Sequence, residues 1–271
     1  MRVSMLYRRL NQQLKDSQNM KKILIYAVLL LVSAVATASN GASERWEAGN
    51  KAYMDGDYKK AVEEYRAIID GGEYSAKLYF NLANAYFKQE KIAEAILYYN
   101  KALNIAPSDD DIRHNLSLAE AKTKDKINAI PEFFLGRWMR TMRSSMSCTA
   151  WSVWSLLTFA LVLALGVLFL LASNIKIRKA SFYSALCMVL LFVMTTSFAV
   201  SSRNSMLNHS EAVVMSSAIS IKSSPDNSAT DLFVLHEGTK VDILSQMGEW
   251  SEISIADGKK GWVETKHIEA I

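Results

Sequence analysis

The sequence predicts a multidomain chain: an all-α repeat array, a two-helix transmembrane hairpin and a small all-β barrel, in that order. Three observations carry this reading. Residues 49–65 align with residues 83–99 at a period of 34. Two uncharged runs, 151–172 and 181–200, are each long enough to cross a bilayer. Six short alternating runs separated by turn residues fill 211–263.

Composition agrees. The 271 residues are 50% hydrophobic and 21% charged with only 3 Pro, which excludes a disordered or collagen-like chain and points to apolar residues gathered in blocks. Six basic residues face one acidic residue over 1–38, and seven face one over 131–203. The intervening 39–130 holds 13 basic and 15 acidic residues, and 204–271 holds 5 and 10. The net charge of +4 therefore comes from segments flanking apolar runs, while both polar regions are acidic. That is a membrane pattern and gives no footprint for nucleic acid.

Lys21 and Lys22 precede an apolar run of about 13 residues ending in Ala36-Thr37-Ala38, which reads as a secretory signal over 1–38 cleaved after Ala38. Met20 is the expected start, since residues 1–19 are polar and add nothing to a signal. An uncleaved N-terminal anchor is the alternative. No cysteine stands near the cleavage site, which excludes a lipoprotein anchor.

The hairpin is expected as a first transmembrane helix over 149–173, a cytoplasmic loop over 174–180 and a second helix over 181–201. A 22-residue uncharged helix reaches about 33 Å, enough for a hydrocarbon core of about 30 Å. Lys176, Arg178 and Lys179 mark their end as cytoplasmic, so both polar regions are expected outside, in the periplasm of a bacterial inner membrane. Arg137, Arg140 and Arg143 pull the first span the other way. Interleaved with Phe133, Phe134, Trp138, Met139 and Met142, they suit an amphipathic linker (127–148) lying on anionic headgroups, with Arg137, Trp138, Arg140 and Arg143 at the membrane interface. Cys148 begins the first span at its outer end and Cys187 lies within the second span toward the cytoplasmic end, too far apart for a disulfide.

Within the first polar region, Leu82, Ala83, Tyr86, Ala95, Tyr99, Ala102 and Pro107 stand in a pattern that resembles the tetratricopeptide repeat. Small Ala83 and Ala95 let two antiparallel helices touch while Tyr86 and Tyr99 fill the space beside them. The expected domain is 42–126: repeats at 42–75 and 76–109, then a capping helix over 110–126 opened by Asp109, Asp110 and Asp111. The resemblance implies a partner groove lined by Trp46, Asn50, Tyr53 and Met54 from the first copy and Phe80, Asn84, Phe87 and Lys88 from the second. Asn50 and Asn84 hold one repeat position. Their amides suit either the backbone of an extended peptide or a neighbouring helix.

The third region, 208–271, holds Ile219 to Pro225, Glu237-Gly238-Thr239-Lys240-Val241, Glu249-Trp250 and Asp257 to Val263, an order similar to the bacterial SH3-like domain, with Ser224 standing where that family usually has Gly. The resemblance implies a module binding proteins or cell-wall peptides. Phe233, Trp250 and Trp262 are its candidate ligand surface, or else its core.

Enzymatic function is not expected. His114, His209, His236 and His267 are scattered, and there is no HExxH, GxSxG or P-loop. No cofactor or metal is implied. The whole order of signal, repeats, basic linker, hairpin and barrel resembles the BatE family of Bacteroides aerotolerance proteins. That resemblance implies a non-enzymatic envelope scaffold in an aerotolerance or envelope-stress complex, partnered by von Willebrand factor A domain membrane proteins and a MoxR-type ATPase. The alternative is a membrane-anchored module recognising peptidoglycan peptides.

Overall fold

The computed structural model describes residues 41–127, 130–131, 133–207 and 210–271. The expected signal segment lies outside them. The chain divides into two compact units, one ending at Glu73 and one beginning at Tyr74.

In the first unit, α1 (residues 41–54) and α2 (Tyr58–Asp70) form an antiparallel pair. Asp57 caps α2 by accepting from Lys60 N–H at 3.1 Å. Gly49 sits so close to the Tyr65 ring that a Cβ there would stand 2.6 Å from it. A glycine is what lets this ring into the helix interface.

The second unit opens with α3 (Ala76–Lys88), α4 (Ile92–Ile105) and α5 (Asp110–Ala121). Ser75 caps α3 through Leu78 N–H at 3.1 Å, and Asp109 caps α5 through Asp111 and Ile112 N–H. Fully buried Ala83 and Ala95 bring α3 and α4 together, and Tyr99 and Leu82 fill the seam. Helix α5 packs on α4 through Ile112, Leu116 and Ala119.

After α6 (Phe134–Arg143) come α7 (Cys148–Leu171) and α8 (Ile175–Leu207). Both α7 and α8 are long and apolar enough to cross a membrane. Almost none of either apolar stretch is buried by protein, which sets them apart from the core helices of a water-soluble fold. Trp151 meets Phe198, Ser155 meets Thr196, and Phe169 meets Phe182. The helices are thus antiparallel, with the start of α7 and the end of α8 at one end. Ser155 and Thr196 hydroxyls share a 2.7 Å hydrogen bond across the seam. The connection is shorter than the sequence suggested. Asn174 caps α8 at Lys176 N–H (2.8 Å), so Lys176, Arg178 and Lys179 lie in the first turns of α8 instead of a loop. Cys148 and Cys187 are both free.

The C-terminal sheet is antiparallel throughout, in the order β3-β2-β6-β5-β4-β1-β7. Its strands are β1 (Glu211–Val214), β2 (Ala218–Lys222), β3 (Asp231–His236), β4 (Lys240–Met247), β5 (Trp250–Ser254), β6 (Lys260–Glu264) and β7 (Ile268–Ala270). All seven contribute to one core that includes Val214, Ile221, Leu235, Val241, Ile253, Val263 and Ile268. β7, which pairs with β1, was not among the six runs read from the sequence. Three residues are too few to show an alternation.

The barrel does not hang from a linker. The Asp125 carboxylate accepts from His236 N–H, the His236 ring and the Thr239 hydroxyl, each at 2.7 Å. Ile127 packs against the barrel core, and Ile130 N–H donates to Ala256 O at 3.0 Å. Gly238, at φ +83°, lies where a Cβ would meet Thr123, Ile96 and Ile92. The β3–β4 turn therefore packs on α4.

Candidate functional site

The two repeat copies build one local device twice. Tyr65 OH donates to Asn50 Oδ1 at 2.8 Å, and Tyr99 OH donates to Asn84 Oδ1 at 2.6 Å. Trp46 lies 5.7 Å from the Tyr65 ring and Phe80 lies 6.0 Å from the Tyr99 ring. Asn84 Oδ1 also accepts from Asn115 Nδ2 of α5 at 3.0 Å. Two donors fix the amide orientation, and its Nδ2 is turned away from them. The asparagines thus tie helix to helix through their acceptor, and Asn84 keeps a donor to offer.

The remaining repeat residues are half-buried or exposed. Tyr53 stacks edge-on with Tyr58 at 5.3 Å, and burial first, then Tyr58, pushes its hydroxyl above the ordinary tyrosine range, so it remains a donor. Met54 is 84% exposed. Phe87 carries the Lys122 ammonium 4.6 Å above its ring, and Lys88 is exposed.

In the barrel the structure brings Trp250 and Trp262 together and leaves Phe233 elsewhere. Trp250 pairs with Glu264 and Trp262 pairs with Glu252 across β5 and β6, so the two indoles are diagonal neighbours on the outer face. Both are half-buried, and the core lies under Ser251, Ile253 and Val263. Phe233 pairs with Ile221 and packs on the inner side with Ile127. Strand parity could have separated them: Ile253 and Val263 inward place Trp250 and Trp262 outward.

On α6, Arg137, Trp138 and Arg140 are exposed, with Phe133 and Phe134 more than 70% exposed beside them. Arg143 donates to Ser201 Oγ at 3.0 Å, and its carbonyl accepts from the Trp151 indole at 2.9 Å, so α6 is tied to the near end of the hairpin. Among the described residues no cluster of His, Cys, Asp or Glu is placed to hold a metal.

The repeat and barrel families that the chain matches support a protein-interaction or cell-wall-binding module. The tetratricopeptide repeat family matches residues 76–109, and the bacterial SH3 domain family matches residues 217–269. Both are families of typically non-catalytic binding domains. No curated protein matches the chain.

Proposed function

We propose that the chain is a non-enzymatic scaffold anchored in a bacterial inner membrane by α7 and α8, presenting its repeats and barrel together on the periplasmic side. The observation that carries this reading is the antiparallel hairpin, both polar regions emerging at its one end, with Lys176, Arg178 and Lys179 at the other. In this reading the Asn84 donor holds a carbonyl of a partner's extended segment, flanked by Phe80, Phe87 and Lys88, and Trp46, Asn50, Tyr53 and Met54 are the corresponding candidates on the first copy. The resemblance to BatE makes von Willebrand factor A domain proteins and a MoxR-type ATPase the expected partners, within an aerotolerance or envelope-stress complex reached by a cleaved signal.

Asn84→Asp tests the assignment, because a carboxylate keeps the acceptor for Tyr99 and Asn115 but loses the donor. In-cell crosslinking and mass spectrometry should show such partners on the wild type and a loss of about tenfold on the variant, the worth of one good hydrogen bond to a partner. An unchanged partner set would overturn the repeat surface. The outward indoles of Trp250 and Trp262 favour a second reading, recognition of peptidoglycan peptides by the barrel. Sedimentation of the full detergent-solubilised chain with purified sacculi tests it. Retention lost in Trp250→Ala/Trp262→Ala would support wall binding, and no retention of the wild type would remove it.

A further inference from the structure

A cavity of about 370 Å³ opens where α4, α5, α6, the start of α7, the end of α8 and the barrel meet. Its charged lining is Arg113, Arg140, Arg143 and Lys240 with the carboxylate of Glu211, and Asp110 and Asp242 stand beside Arg113 and Arg140. The four cations come from α5, α6 and β4, elements brought together only by folding, so this is no stripe on one helix. Glu211 is already engaged by Lys240 at 2.8 Å, which Asn100 also faces at 3.4 Å. Arg113 pairs at 3.4 Å with Asp110, whose side chain is 93% exposed, so water screens that pair. The Arg143 guanidinium is held by Ser201, and Ser202 and Ser205 add hydroxyls to the wall. A larger adjoining cavity shares Arg140 and Arg143 and adds Asp242. Burial, then Glu211, raises the Asp242 carboxyl above its ordinary range, against the opposing pull of Lys240 and Arg140.

Depth decides what anion fits. The cavity stands level with Cys148, where α7 begins, and with Ser202 and Ser205, just beyond the last apolar turn of α8. In a bilayer that is the headgroup layer, and α6 offers Phe133, Phe134 and Trp138 to the acyl region beside it. We propose that the cavity binds the phosphate of an anionic phospholipid, with Arg140 and Arg143 as its main partners and Arg113 at the rim. This rests on α7 and α8 crossing a membrane. A zwitterionic headgroup brings its own cation toward the three arginines and is disfavoured.

The test is native mass spectrometry of the full chain released from micelles holding equal amounts of phosphatidylglycerol and phosphatidylcholine. One phosphatidylglycerol should be retained in preference. Arg140→Gln/Arg143→Gln should reduce that preference about thirtyfold, the worth of two interfacial basic charges. Arg137→Gln, on the same helix but outside the cavity, should reduce it by no more than the about fivefold of one interfacial charge, and Arg113→Gln should weaken it in part even if the double variant folds poorly. Equal retention of both lipids, or equal loss in Arg137→Gln and Arg140→Gln/Arg143→Gln, would overturn the site. Displacement of the lipid by excess inorganic phosphate would make the ligand a soluble phosphate and overturn the lipid assignment. Failure of the chain to float with neutral phosphatidylcholine vesicles would overturn the membrane reading separately, whatever the lipid preference.

Discussion

The two repeat copies share a hydrogen-bond plan and differ in bulk. Each ties its two helices with an Asn–Tyr bond 15 residues apart. Each ends its first helix with the same pair of backbone bonds: Gly56 N–H to Tyr53 O and Asp57 N–H to Ala52 O in the first, Glu90 N–H to Phe87 O and Lys91 N–H to Tyr86 O in the second. Yet Ala48, Gly49 and Ala52 stand in the first copy where Leu82, Ala83 and Tyr86 stand in the second. Polar bonds therefore specify the register of the pair, and apolar volume sets how much each pair contributes to stability. The family match to 76–109 falls on the copy with the fuller seam.

The sharpest way to break that distinction is Leu82→Ala, which gives the second copy the first copy's residue. Leu82 is fully buried, so the loss should be about 2–5 kcal/mol, read by thermal melting of the solubilised chain. A loss below about 1 kcal/mol would mean that the seam collapses around the gap and that volume is not what separates the copies.

Next in size is the bond set by which the second unit holds its barrel. Asp125→Ala leaves the His236 N–H and ring and the Thr239 hydroxyl without their acceptor, at a cost of about 1–3 kcal/mol. Burial raises the Asp125 carboxyl, but the hydrogen bonds from His236 and Thr239 outweigh it and hold it below the usual carboxylate range. With the folded value depressed, the stabilisation is complete above the unfolded carboxylate value of about 3.9 and is lost as pH falls through the lower folded value. Wild type and Asp125→Ala melting curves should accordingly differ at neutral pH and converge in acid. A constant gap across that range would place the stabilisation outside this carboxylate.

That carboxylate also marks where sequence reading stops. The helix pairs were legible because small and large residues recur at a fixed period, and four of the seven strands carry plain inside-outside alternation around Ile221, Leu235, Ile253 and Val263. The outward placement of Trp250 and Trp262 was within reach of the same parity. The Asp125–His236 bond was not, because it joins residues 111 apart and leaves no period in either segment. The cation cavity was hidden for the same reason. Arg140 and Arg143 are visible as a basic face, but Arg113 and Lys240 join them only through the docking of α5 and β4.

The smallest expected effect returns to the turn that both copies share. Gly56 and Glu90 occupy one repeat position, and both are left-handed, at φ 82° and 61°. Glycine adopts that conformation freely, whereas a residue with a Cβ gives up roughly 1–2 kcal/mol there. Glu90 is exposed, so replacing it removes little packing. Glu90→Gly should relieve the strain while adding unfolded-chain entropy worth about 0.5–1 kcal/mol, for a net stabilisation of roughly 0.5–1 kcal/mol and a melting temperature about 1–4 °C higher. The reverse change, Gly56→Glu, should cost the first copy a similar amount. If Glu90→Gly instead lowered the melting temperature, the Glu90 side chain would be contributing a stabilising contact, and the two turns would be alike in backbone only.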